Sequence, residues 1–346
     1  MYFYLISLSI LFVLSIKGYN NRLLLLFILL LSFFLGFRAE TIGEDTSAYI
    51  EYYDLLSLSI LSGYMEKGWN IIAITCKYLG LSAYGFHFVV ALMTLLPFYY
   101  VCAQFKNSKV NGLVVFLLYT LGFYFHMFNI MRQFLAISIV LIGYAQLAKG
   151  CKRNFIICII IASFIHLASL FVLIMVIFEK IKLNTYRVIW LLLLSFIIGI
   201  VASESFFLLF AGKYAHDIVD DTGIRAGILL YILTVGLLTN LFTIWLYKRV
   251  PELRNNAWVR FNILSVIVFN MMCNLVWGAR LVYYFSICSV FAYSFYAVHT
   301  NKKIISWAIY LFAIITFTRY LVPEFLKYGI DGSMIPYEMN IQLFAH

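Results

Sequence analysis

Charge is scarce in this chain. Only 12% of its residues are charged, while 64% are hydrophobic and 19% aromatic. Soluble domains carry about 25% charged residues, so water would not solvate this chain as a monomer, whereas a bilayer would. No polar stretch is long enough to build a separate soluble domain, and residues 1–346 are expected to form a single integral membrane domain. The six cysteines form no CxxC pair, and five of them sit inside or at the ends of apolar runs. That pattern excludes a disulfide framework and metal-ligand spacing, and it makes the cysteines small apolar fillers. Also missing are a glycine-rich phosphate loop, a serine-nucleophile elbow, an HExxH helix and a DxD-type acidic pair. The opening run Tyr2–Ile16 lacks a basic leading region and a small-residue cleavage site, and reads as a retained first helix.

Apolar runs fill most of the chain, at roughly 2–16, 23–37, 84–105, 110–126, 131–148, 186–203, 226–247, 257–277, 281–298 and 303–320. A span needs about 20 apolar residues. Two further segments are irregular. Residues 68–80 are too short to cross and contain Lys77; residues 154–178 form one long run interrupted by Ser163, His166 and Ser169. Both suggest re-entrant or broken helices, which a membrane tolerates where backbone is buried in protein or faces a wet cavity. The fold class is therefore an all-α polytopic membrane protein of about ten to twelve transmembrane or re-entrant helices, with external loops at 38–67 and 204–225.

If both irregular segments return to the side they left, sixteen basic residues share one face, among them Lys17, Arg22, Lys109, Lys149, Arg187, Arg254 and Lys303. Eight fall on the other: Arg38, Lys67, Arg132, Lys213, Arg225, Arg280, Arg319 and Lys327. The positive-inside rule makes the first face cytoplasmic and sends both termini outward. The net charge of +10 is then mostly a topology signal and does not imply nucleic acid. Thirteen of the fifteen acids fall outside; only Glu179 and Glu252 stay inside.

Six of those acids crowd one polar segment after the second run: Glu40, Glu44, Asp45, Glu51, Asp54 and Glu66. Packing gives no reason to gather carboxylates beside Arg38 at a membrane surface, so the segment is expected to handle something polar where lipid meets water. Arg132-Gln133 opens an apolar helix after an aromatic stretch. An arginine there either snorkels to headgroups or binds phosphate oxygens in bidentate fashion, helped by the helix N-terminus. Arg280 shares a helical face with Tyr284, next to Tyr283, and reads as an interfacial arginine or as a second phosphate or sugar contact. His166 is an ionisable group inside an apolar run, where such groups lean towards function, and its titration range suits acid–base work. Asp45 caps the amphipathic stretch Thr46–Leu61, meets substrate, or does both. His126 and Arg319 have mostly bland readings.

Taken in order, Arg38…Gly43-x-Asp45-Thr46-x-x-Tyr49, Glu66-x-Gly68-Trp69, Arg132-Gln133, Phe164-x-His166-x-Ala168, Arg280 before Tyr283-Tyr284, and Pro336-Tyr337 resemble the EpsG/Wzy-type polysaccharide polymerases of bacterial envelopes. The resemblance implies a GT-C-like membrane fold in the cytoplasmic (inner) membrane, with the site facing the exterior. It implies polymerisation of undecaprenyl-diphosphate-linked oligosaccharide repeat units, with release of undecaprenyl diphosphate and no cofactor or metal. Arg132 and Arg280 would meet the diphosphate, assisted by Arg38. His166 or Asp45 would be the base. Thr46, Tyr49, Glu66, Gln133, Tyr283, Tyr284 and Tyr337 would contact substrate. A chain-length regulator and a flippase are the expected protein partners. Alternatives are a lipid-linked oligosaccharide flippase, although the halves show no internal repeat, another lipid-dependent glycosyltransferase or ligase, and a membrane acyltransferase.

Overall fold

A computed structural model describes residues 2–18, 20–56, 65–105, 107–201, 232–272, 276–300, 302–330 and 332–344. The expected loop 204–225 lies outside them, as does 57–64 of the loop 38–67. The described residues are helical, and their only β pairing is two isolated bridges. The chain divides into two compact units: residues 1–171 with 307–346, and residues 172–306.

The first unit holds α1 (Tyr2–Lys17), α2 (Asn21–Gly36), α3 (Thr46–Leu55), α4 (Lys67–Tyr78), α5 (Ala83–Ala103), α6 (Ser108–Thr120), α7 (Phe123–Asn129), α8 (Met131–Ala148) and α9 (Lys152–Ser163), and it takes most of the last helix (Lys303–Leu326). Polar residues punctuate the apolar runs: the side chains of Asn20 and Ser82 accept the backbone N–H groups of Leu23 and Gly85 at the starts of α2 and α5, as N-caps do. Helix α2 packs on α5, α5 on α8, α8 on α9, and α1 on α6. Close approach of α2 and α5 depends on Gly36, where a Cβ would lie 2.4 Å from Phe88 Cα. The run 110–126 is bent, not straight: α6 and α7 meet at 49°. Gly122 makes the bend, with φ +85° and no room for a side chain against the Tyr320 ring.

The second unit contains α10 (Ile174–Phe178), α11 (Thr185–Val201), a π-helical turn at Ile232–Gly236, α12 (Leu237–Arg249), α13 (Ala257–Met272) and α14 (Val276–His299). Helix α13 packs along α14 and α11. Buried Asn240 and Asn270 exchange side-chain amide hydrogen bonds of 2.7 and 2.9 Å, and Asn270 also donates to Leu192 O and Ser195 Oγ. Such bridges hold helices together where the apolar effect does not discriminate between lipid and protein.

Four described helices are long and apolar enough to cross a membrane, five if the bent pair counts as one span, and five more apolar helices are shorter. Outward faces carry exposed apolar side chains, such as Leu26, Leu29 and Leu30 on α2 and Ile156, Ile157, Ile160 and Ile161 on α9. Surface of that kind requires a bilayer. The chain is an all-α, multi-pass membrane protein.

Of the two irregular segments, one is a short helix and the other is broken. Residues 68–80 give the 12-residue α4, too short to span. The run 154–178 breaks after α9 at 164–166, and the chain resumes as a 3₁₀ helix at Leu167–Leu173. His166 stands at the break.

Candidate functional site

The site is built on three chain breaks of the first unit: the joint between α7 and α8, the start of α4, and the break after α9. Arg132 is the second residue of α8. Glu66 occupies the N-cap position of α4, yet its side chain makes no cap hydrogen bond. Instead its Oε2 accepts from Arg132 Nη1 in an ion pair. Glu66 Oε1 accepts the backbone N–H of Leu167 at 3.3 Å, and Arg132 Nη1 also lies 2.9 Å from Met65 Sδ. Both charged side chains are partly open, at 22% exposure for Arg132 and 27% for Glu66. Charge is thus held where part of each side chain remains exposed.

The motif glycine explains why these breaks converge. Gly68 N donates to Phe164 O at 2.8 Å, and a Cβ on Gly68 would stand 2.6 Å from that same carbonyl. Only glycine lets α4 start against the 164–167 turn. Glu66-x-Gly68 and Phe164-x-His166, about a hundred residues apart, are therefore two sides of one contact, and the contact brings the half-buried His166 beside Glu66 in the chain trace. Tyr52 completes this edge. Its hydroxyl donates to Asn70 Oδ1 at 2.5 Å, and burial pushes its pKa up to about 12, opposed by the nearby Arg132 charge. It is a neutral donor at any physiological pH.

Arg38 has a different place. It is fully buried. Nε donates to Thr46 Oγ1 at 3.0 Å, Nη1 to Leu35 O, and Nη2 to Phe128 O at 2.9 Å, with Met131 Sδ at 3.1 Å and the Phe128 ring beneath the guanidinium. Burial lowers its pKa to about 10, which still leaves it charged at neutral pH. Leu35 O lies in the last turn of α2, and Phe128 O and Met131 Sδ lie on the two sides of the α7–α8 joint, so Arg38 fixes the joint from which Arg132 projects. Thr46 is equally buried, and its hydroxyl donates to Ile42 O. Gly43, at φ +88°, brings the loop against Asn129, whose Oδ1 accepts Glu44 N. The Arg38…Gly43…Thr46 motif is thus a clasp on the α7–α8 joint.

The remaining predicted residues divide. Asp45 sits at the N-cap of α3 but makes no side-chain cap hydrogen bond, and α3 ends at Leu55, short of the expected Leu61. A cap hydrogen bond therefore does not account for Asp45. Tyr49 is half-buried, with its ring 5.6 Å from that of Trp69. Trp69 itself is fully buried. Gln133 is buried at the start of α8. Tyr337 donates to Phe34 O and stacks its ring on Phe3 at 4.4 Å; its strand-like neighbours pair with the clasp, Ala39 N to Glu338 O at 3.0 Å and Asn340 N to Phe37 O at 2.8 Å. In the second unit, Arg280 is exposed, Tyr283 half-buried and Tyr284 fully buried.

Sequence reasoning missed two residues. Lys77, in the last turn of α4, donates to the carbonyls of Tyr53, Asp54 and Leu56, each at 2.9 Å, closing the C-terminus of α3; a lone lysine in a short apolar helix was the available signal. His87 is fully buried within α5, and neither ring nitrogen has a hydrogen-bond partner in the structure. Among the described residues, no group of three or more His, Cys, Asp or Glu side chains comes together as a metal site.

A family model described as the EpsG family matches residues 21–339. The chain belongs to the EpsG family. All the residues singled out above, from Arg38 to Tyr337, lie inside the match, and membership supports a polysaccharide-polymerase role. Comparison with curated proteins and with solved structures gives no match.

Proposed function

We propose that this EpsG-family protein polymerises polysaccharide from undecaprenyl-diphosphate-linked repeat units at the outer face of the cytoplasmic membrane, without a metal. The glycan on the donor lipid moves to a hydroxyl of the incoming lipid-linked unit, and undecaprenyl diphosphate leaves. The observation that carries this reading is the partly open Arg132 guanidinium at the start of α8, paired to Glu66 at a chain break beside His166. A diphosphate anchored in lipid must have its charge met at the membrane surface. A fixed guanidinium at a helix N-terminus stabilises the charge that develops on the leaving group. On the first unit Tyr49, Tyr52 and Gln133 would supply sugar contacts; on the second unit Arg280 and Tyr283 are proposed as substrate contacts in their own right. Arg38, Thr46 and Tyr337, with their polar atoms turned to backbone, would act by positioning. Membrane lipid surrounds the site, and a chain-length regulator and a flippase remain the expected partners.

Purified protein in nanodiscs, given lipid-linked repeat units from its host in the presence of EDTA, is expected to produce a ladder of products on a gel. Arg132→Ala and Arg280→Ala are each expected to lower that activity by at least 100-fold. A folded wild-type protein that makes no ladder but moves the same lipid across liposomes would replace the polymerase with the flippase reading. The break at 164–166 is the feature that would favour that outcome.

A further inference from the structure

The Arg132–Glu66 pair poses a problem for the proposed chemistry. One amino group, Nη1, of the guanidinium that should receive a diphosphate is already taken by a carboxylate. We propose that Glu66 is the general base, and that the arriving diphosphate releases it from Arg132. The inference rests on the polymerase reading.

Three observations carry it. First, Glu66 is held by two donors, Arg132 Nη1 and the N–H of Leu167. A diphosphate carries more charge than a carboxylate and takes two donors of a planar guanidinium at once, so it displaces Glu66 from the first. Second, the 3.3 Å contact to Leu167 is long for an N–H···O hydrogen bond, so once Arg132 is taken only this weak contact restrains the Glu66 side chain. Third, Glu66 sits at an N-cap without capping its helix, so release costs α4 no cap interaction. The carboxylate stays partly solvated, which keeps the cost of its freedom low.

The contact pair describes a resting state. In a single displacement the base and the group that receives the leaving oxygen lie on opposite sides of the anomeric carbon; for inverting hydrolysis the corresponding separation is about 6.5–9.5 Å. Glu66 in contact with Arg132 cannot occupy that place, and three side-chain torsions allow it to swing there once released. The acceptor hydroxyl then gives its proton to a Glu66 carboxylate oxygen as its own oxygen bonds to the anomeric carbon. The bond from that carbon to the diphosphate oxygen breaks, and its electron pair leaves with the diphosphate held by Arg132. The proton passes from Glu66 to water, and the pair re-forms when the lipid diphosphate departs. The anomeric configuration inverts. The base is thus masked until a donor is bound, which guards against activating a hydroxyl in an empty site.

The test separates binding from transfer. Undecaprenyl diphosphate is the binding probe, and ladder formation from native lipid-linked units gives the rate across pH 4–8. Glu66→Gln removes the competing charge, so binding of the probe is expected to be unchanged or tighter by up to about tenfold. Transfer should fall by at least 100-fold, and the acidic limb of the wild-type pH–rate profile should disappear from what remains. Weaker probe binding in step with the rate would make Glu66 a support for Arg132 and overturn the proposal, as would transfer within tenfold of wild type or an unchanged acidic limb. If Glu66→Gln does not fold, Glu66→Asp decides the matter: wild-type probe binding with a rate at least tenfold lower is expected, and a wild-type rate overturns it. Failure of the polymerase reading looks different, because wild-type protein itself would then make no ladder.

Discussion

Arg38 and Arg132 were both expected to face the diphosphate, and burial separates them. Arg38 donates from every guanidinium nitrogen inside the fold; Arg132 keeps a partly open guanidinium. Their variants should therefore fail in different ways. Arg38→Ala leaves buried carbonyls without donors, at about 1–3 kcal/mol each, and is expected to lower the thermal midpoint of the detergent-solubilised protein by several degrees together with its activity. Arg132→Ala should leave that midpoint within about 2 °C and abolish the ladder. Arg132→Lys retains the charge but loses the bidentate fork; its activity is expected to fall at least tenfold, measured as the initial rate of ladder formation.

At the scale of elements, the site depends on chain breaks. Gly68 is the sharpest case, because α4 can start against Phe164 only without a Cβ. Gly68→Val should push the start of α4 off the 164–167 turn and separate Glu66 from Leu167. Transfer is expected to drop more than tenfold while the helical circular dichroism signal stays constant. This contact was half legible beforehand. The short segment 68–80 and the interrupted run 154–178 were both visible as periodicity that fails. Their mutual contact was not, because about a hundred residues separate them and neither carries a charge pattern that names its partner. The role of Arg38 was hidden for a related reason: a lone arginine beside carboxylates reads as a ligand site, and only burial shows that backbone carbonyls take its donors.

For the whole molecule, charge distribution predicts orientation. Cys151 is exposed and lies between Lys149 and Lys152 on the face assigned to the cytoplasm. In intact cells it should react with a membrane-permeant maleimide and resist an impermeant one, with Cys151→Ser as the blank. Labelling by the impermeant reagent would reverse the topology and place Arg132 inside.

Composition and periodicity by themselves determined the class of this protein. A chain with so little charge and so much apolar length has one solvent in which its surface is stable, and an all-α architecture follows from apolar runs that are long and continuous, where a barrel would show short alternating segments. The order of its polar residues also disclosed the family. Only tertiary structure decided which arginine is a strut and which is open, and that Glu66 holds Arg132. Those outcomes depend on which backbone groups meet across long separations, and a sequence pattern records the residues at such a contact without recording the contact.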